Sequence, residues 1–240
     1  MTTGRRAVIP AAGLGTRLSP LTLGVAKELL PLGAYPALAA TLLEAAAAGV
    51  TDLVVVTSAA KPQLGRFFGE LRALEGAAES ADPGRAARLA GLLAGRTVRL
   101  VEQPQPLGVL DAVARGLGLT ELPCAVVFPD LVHLPDQTAL ARLFAAQQAC
   151  GQAIIGLREP PPAGLGGNAL AVELPPEYAS PAARAGALAA GTPLPIRAVG
   201  PQRGAPGELV TTFGQIHTPA LDAAIAACCR RHPAAPLADA

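Results

Sequence analysis

Apolar residues in this chain come in short runs separated by segments of helical length. Ala7-Val8-Ile9-Pro10 follows two arginines and leads into a glycine-containing loop, the pattern of a buried strand feeding a turn. Residues 37–48 are rich in Ala and Leu and are closed by Gly49, which predicts a helix with a glycine at its carboxyl end. A β-branched run at 53–57 follows at once. Strand, loop, helix and strand in that order call for a right-handed crossover and a parallel pair. The alternation continues with helices at 84–94, 109–117 and 138–150 and strands at 98–101, 125–128 and 153–157. These strands are apolar on both faces, so the expectation is a three-layer αβα sandwich, Rossmann-like, with a mixed, mainly parallel central sheet.

After residue 157 the pattern loosens. Pro160-Pro161-Pro162 and a glycine-rich stretch at 164–167 form a loop. Weaker strands at 169–174, 196–199 and 209–213 follow, around an Ala- and Pro-rich excursion, with a last helix at 219–230. Residues 1–157 therefore read as the core and 158–240 as a smaller portion.

Composition narrows the class. Hydrophobic residues make up 51% of the 240 and charged residues 15%, which excludes a disordered chain. The formal net charge is +1, too small for a global field that would hold nucleic acid or an anionic membrane. No run of about 20 apolar residues exists to span a bilayer. Met1 to Arg6 enters Ala7 with no signal-like apolar region, so the expected location is the cytoplasm. Cys124, Cys150, Cys228 and Cys229 lack zinc spacing and read as free thiols. Of 19 basic residues only Lys27 and Lys61 are lysines, so a lysine here is a candidate for chemistry.

The informative stretch is Ala11-Ala12-Gly13-Leu14-Gly15-Thr16-Arg17-Leu18-Ser19-Pro20, with Lys27-Glu28-Leu29-Leu30-Pro31 behind it. A Gly-x-Gly turn after a strand lets backbone N–H groups approach an anion. No Walker Gly-Lys-Ser/Thr follows, and Leu18 stands where a dinucleotide fingerprint needs its third glycine. The set as a whole resembles the signature of the sugar-phosphate nucleotidyltransferases, above all the bacterial UTP–glucose-1-phosphate uridylyltransferases. Lys61-Pro62-Gln63-Leu64-Gly65-Arg66-Phe67-Phe68 resembles a lysine-containing helix of that family, and Phe128-Pro129-Asp130 its metal-binding aspartate segment. Gln103-Pro104-Gln105-Pro106-Leu107-Gly108, followed by Asp111, resembles the base-recognition stretch of the glucose-1-phosphate thymidylyltransferases.

The resemblance implies the fold of the nucleotide-diphospho-sugar transferases, with a nucleotide-binding core at 1–157 and a portion facing the sugar phosphate at 158–240. It implies condensation of a nucleoside triphosphate, UTP favoured over dTTP, with a sugar-1-phosphate, glucose-1-phosphate favoured, in the presence of Mg²⁺. Ala11, Ala12, Gly13, Gly15 and Thr16 would bind the nucleotide through the loop. Arg17 suits the β- and γ-phosphates as a planar fork of donors, and Lys27 suits the α-phosphate as a compact charge. Gln103 has a donor and an acceptor for the O4 and N3–H edge of the base, and Gly108 leaves the base room. Asp130, at the end of a strand, would hold the metal. Gly167, Asn168 and Arg203 would meet the sugar phosphate. The partners are these two small molecules, with a homo-oligomer compatible with the sequence.

Ordinary readings stand beside these. A Gly-x-Gly turn is also a plain βα connection, Gln103 an exposed turn residue, and Asp130 a turn aspartate. Lys61 beside Pro62 reads as a surface charge at a helix start. Residues 196–203 carry neither the Glu nor the Lys of the family's sugar segment, and Asp111 stands where the family prefers His or Gln. Three accounts therefore stay open: a changed sugar-phosphate site, a nucleotide-binding homologue with impaired catalysis and a regulatory role, or a cytidylyltransferase acting on a non-sugar phosphate.

Overall fold

β1 (Arg5–Pro10) turns Ala7 and Ile9 to one face and Val8 to the other, all of them buried. Such a strand needs cover on both sides and neighbours on both edges. It pairs in parallel with β4 (Val50–Thr57) on one edge and β6 (Cys124–Val127) on the other, and β4 pairs in parallel with β5 (Thr97–Glu102). The computed structural model describes residues 4–73, 83–121, 123–130, 139–158, 170–178, 180–189, 194–196, 198–201 and 209–217.

Helices cover both faces. On one, α1 (Ala37–Ala47), α2 (Pro62–Ala73) and α5 (Ala139–Cys150) bring Leu38, Leu42, Leu64, Phe68, Leu140 and Phe144 onto Ile9, Leu53, Val55 and Val127. On the other, α4 (Val109–Leu117) sets Ala112, Val113 and Leu117 against Val8, Val54, Val56 and Val126. The period-two alternation of the strands thus feeds two separate cores, and the three-layer sandwich expected from the sequence is present. Helix α4 lies so close to β1 that a Cβ on Gly116 would sit 2.3 Å from Val8 Cγ1.

Beyond β6 the sheet turns antiparallel. The late strand β10 (Leu209–His217) pairs with β6, with β7 (Ile154–Arg158) and with β8 (Leu170–Glu173), which in turn pairs with β9 (Ala198–Pro201). The order β5-β4-β1-β6-β10-β8-β9 makes β1 the point from which the chain winds outward one way to β4 and β5 and the other way to β6. Open sheets bind ligands at such a switch point, outside the carboxyl ends of the strands.

Two elements went unread in the sequence, and α2 was marked only by its resemblance to a family helix and by a helix start at Lys61 and Pro62. The buried positions Leu64, Phe68 and Leu71 of α2 have helical spacing, but Gly65 and Gly69 lie among them and weaken the signal. Within the Ala/Pro-rich excursion lies α6 (Pro181–Ala189), started by Pro181 and capped by Ser180, whose Oγ accepts from Ala183 N at 3.1 Å. A two-residue hairpin, β2 (Pro31–Leu32) and β3 (Tyr35–Pro36), precedes α1. Helix α3 (Pro83–Ala90) is shorter than its predicted span. The helix expected at 219–230 lies outside the described residues, as do Cys228 and Cys229. No described helix is long and apolar enough to cross a membrane.

Candidate active site

The loop after β1 is anchored before it is exposed. Ala11 N donates to Val56 O of the neighbouring strand at 2.7 Å, and Ala11 and Ala12 are buried. From Gly13 on the loop lies open, with no atom within 4 Å of where a Gly13 Cβ would stand. Gly15, at φ 73°, starts a single 3₁₀ turn, Thr16–Leu18, that presents exposed Thr16 and Arg17. A side chain at Gly15 would need the left-handed conformation and would meet Lys27 Cβ and Cδ at 3.3 Å, so glycine is required twice over. Thr22 Oγ1 donates to Gly15 O at 3.0 Å and ties the loop to its own return.

Lys27 and Asp130 meet across the switch point. Lys27 Nζ lies 2.5 Å from Asp130 Oδ2, a pair joining the segment behind the β1 loop to the segment after β6. Both side chains are partly exposed, so each remains within reach of solvent and of a ligand. A phosphate would compete for the ammonium and a divalent cation for the carboxylate. Among the described residues no three His, Cys, Asp or Glu side chains gather into a metal cluster. Magnesium often binds through one or two carboxylates completed by substrate phosphates and water, and a single exposed Asp130 beside a phosphate-type loop fits that mode.

Beneath this pair lies an interaction the sequence reading did not contain. Glu28, wholly buried, accepts from Lys61 Nζ through Oε1 at 2.9 Å and Oε2 at 2.8 Å. Lys61 Nζ also donates to Ala11 O at 2.9 Å. The expectation that Lys61 is a surface charge is thus corrected: it is 4% exposed. Burial lowers its ammonium below the usual lysine range, against the opposing pull of Glu28. One ammonium therefore ties together the mouth of the Gly-rich loop and the residue next to Lys27. The scarcity of lysine that singled out Lys27 pointed equally to Lys61.

Gln103 stands one residue beyond β5, and its backbone N–H donates to Thr57 O at 2.7 Å. Its side chain is buried, and Nε2 donates to Gly108 O at 3.0 Å and to Asp111 Oδ2 at 2.7 Å. The sequence reading offered both ends of this amide to a base; the donor end is instead engaged within the protein. Asp111 Oδ2 also accepts from Arg115 Nε at 2.7 Å, one helical turn on. Burial alone would raise the Asp111 carboxyl, but the hydrogen bonds from Arg115 and Gln103 outweigh it and hold it below the usual aspartate value. Gly108, at φ 88°, begins α4 and could not readily be another residue.

The elements therefore set Ala11, Ala12, Gly13, Gly15, Thr16, Arg17, Lys27, Gln103, Gly108 and Asp130 in the loops that follow β1, β5 and β6 at their carboxyl ends. Gly167, Asn168 and Arg203 lie outside the described residues. A cavity of about 490 Å³, lined by Arg6, Asp52, Arg99 and Thr120, lies toward the opposite ends of the strands and contains none of the candidate residues. Its charges are already matched, Arg99 to Asp52 and Arg6 to Glu121.

Comparison with known proteins gives the family and the fold. The family model described as nucleotidyl transferase matches residues 6–166. A UTP–glucose-1-phosphate uridylyltransferase of Staphylococcus saprophyticus is 31% identical over 158 residues, covering 65% of this chain and 55% of the relative. The chain spans about half the length of the curated relatives it matches. Among solved structures, the UTP-bound UGPase from Acinetobacter baumannii superposes with a TM-score of 0.69 at 23% identity, covering 91% of this chain and 76% of that one. A UDP-glucose pyrophosphorylase complexed with UDP-glucose gives 0.71 at 20% identity, covering 92% and 79%. At these identities the structural likeness establishes the fold.

Proposed function

The chain belongs to the nucleotidyl transferase family, and on that footing we propose that it transfers a uridylyl group from UTP to a sugar-1-phosphate, glucose-1-phosphate favoured, with release of pyrophosphate. The observation that carries this reading is the Lys27–Asp130 pair, set at the switch point of the sheet behind a glycine-rich loop. In the reaction a phosphate oxygen of the sugar-1-phosphate forms a bond to the α-phosphorus of UTP. The bond from that phosphorus to the oxygen bridging it to the β-phosphorus breaks, and pyrophosphate leaves with the electron pair. No covalent enzyme intermediate is needed; the chain has to hold two anions in line and offset their charge.

Each residue then has a role. The open backbone at Gly13 and the turn at Gly15 let the triphosphate lie against the main chain. Arg17 faces the leaving phosphates as a donor fork, and dTTP is the secondary nucleotide. Lys27 releases Asp130 and turns its charge to the α-phosphate, where charge changes most as bonds are exchanged. Mg²⁺, when bound at Asp130, would offset phosphate charge and draw the two substrates together. The Glu28–Lys61 pair keeps the loop and Lys27 in place. Residues 1–157 form the nucleotide-binding part of this scheme and 158–240, with Gly167, Asn168 and Arg203, the part that meets the sugar phosphate.

The test is release of pyrophosphate from UTP by the purified protein, with and without Mg²⁺ and glucose-1-phosphate. Turnover that needs both supports the reading. No turnover across a panel of sugar phosphates, with UTP still bound, would replace it by a nucleotide-binding role without chemistry.

A further inference from the structure

The two groups that receive Gln103 Nε2 are the Gly108 carbonyl and the Asp111 carboxylate. Both are acceptors only, so chemistry alone puts the NH₂ end of the amide on that side. Gln103 is 5% exposed, and no described residue donates to its Oε1. One end of the amide is thus held and the other, a pure acceptor, is left for a ligand.

We propose that Asp111 is a positioning residue for base selection: it fixes Gln103 with Oε1 outward, so that the crevice takes a pyrimidine that donates at N3 and rejects one that accepts there. The inference rests on the nucleotide-binding reading of the crevice and deepens it. Uracil and thymine carry N3–H and pair with Oε1. Cytosine presents a lone pair at N3 and meets Oε1 acceptor to acceptor. To accommodate it, Gln103 must turn over, which drives Oε1 against the Gly108 carbonyl and the Asp111 carboxylate together. A charged acceptor holds a donor about twice as strongly as a neutral one, so the larger share of that lock comes from Asp111. Arg115, bonded to the same carboxylate oxygen, keeps it aimed and ionised. A His or Gln at this position could donate as well as accept and would not impose one orientation. The departure of the sequence at position 111 therefore strengthens the choice of base rather than weakening the site.

Calorimetric titration of UTP and of CTP into the protein, in Mg²⁺ buffer without sugar phosphate, tests this. Wild type should bind UTP at least tenfold more tightly than CTP. Asp111→Leu, which keeps the branching of the side chain and removes the acceptor, should gain about tenfold in CTP affinity while UTP affinity stays within about twofold. Asp111→Asn retains an acceptor and should stay within about threefold of the wild-type preference. If Asp111→Leu folds poorly, Asp111→Ala carries the same expectation. A gain in CTP binding is what general damage to the loop cannot produce. Loss of UTP binding with no gain for CTP, or a wild type that binds both equally, overturns the inference alone. A wild type that binds neither nucleotide overturns the nucleotide-binding reading, and this inference with it.

Discussion

Replacing Glu28 by Gln isolates the buried ion pair, and its effect can be worked from the contacts. Lys61 Nζ has three protein partners, Ala11 O and the two oxygens of Glu28, and both side chains are almost fully removed from water. The substitution leaves the ammonium buried with neutral acceptors. Breaking a buried pair from one side costs about 3–5 kcal/mol, a large part of the roughly 5–15 kcal/mol by which a domain is stable. Urea denaturation at neutral pH should register that loss. The double variant Glu28→Leu/Lys61→Met removes both charges and leaves only the Ala11 carbonyl short of a donor, a cost of about 1–3 kcal/mol. Stability should therefore fall in the order wild type, double variant, Glu28→Gln. The pH dependence has a definite sign. Burial already lowers Lys61, and loss of Glu28 lowers it further. Between the variant's folded value and the less lowered wild-type value, only the variant gains stability as its unfolded chain binds the additional proton, so the deficit of Glu28→Gln shrinks as pH rises through that window. From there to the ordinary 10.5 both proteins gain alike. A Glu28→Gln protein within about 1 kcal/mol of wild type, or a double variant less stable than the single one, would refute the reasoning.

Three further outcomes are expected. Lys27→Ala should lower the rate of pyrophosphate release about a hundredfold, on the order of 3 kcal/mol, with a smaller effect on UTP affinity; steady-state kinetics at the wild-type rate would remove Lys27 from the chemistry. Gly116→Ala gains about 1 kcal/mol in helix propensity but forces a Cβ to within 2.3 Å of Val8 Cγ1, so a net loss of about 1–2 kcal/mol should appear in thermal unfolding, and pairing it with Val8→Ala should recover part of it. Burial pushes the Cys124 thiol up to about 12 from 9.0, so between those values the folded chain keeps a proton that the unfolded chain has released, and stability falls as pH rises. Cys124→Ala should remove that part of the alkaline slope, and an unchanged slope in urea midpoints from pH 8 to 11 would speak against it.

The parallel half of the fold was open to sequence reading because β1, β4 and β6 carry apolar runs buried on both faces and α1 and α4 are closed by glycines. The span of α4 was read correctly to the residue, and α1 was one residue too long, since Gly49 stops the chain at φ 73°. What escaped notice was decided by partners far along the chain. Lys61 beside Pro62 carries no local mark of burial; only the fold brings Glu28, 33 residues earlier, within 2.8 Å of it. Gln103 looks free in sequence because Asp111 binds it across the first turn of α4, a contact that needs the left-handed Gly108 to form. Helix α6 was passed over for composition, although its Ser-Pro start is a helix signal in its own right.

The place of β10 has a consequence for the order in which the protein can be made. Cys124–Val127, the strand that leads to Asp130, is buried along its whole length, and one of its edges is covered by Gly214 to His217. Synthesis at roughly 5–20 residues per second leaves an interval on the order of ten seconds between the emergence of the two strands. Throughout it the chain can assemble β5, β4, β1 and β6, yet β6 ends the sheet as an unpaired, wholly apolar edge, the kind of template on which chains pair with one another. The aspartate that faces Lys27 is thus carried by the part of the sheet completed last. Cells that slow translation, or destabilise β10, should lose this protein to association of nascent chains before any loss of the finished protein's stability is measurable.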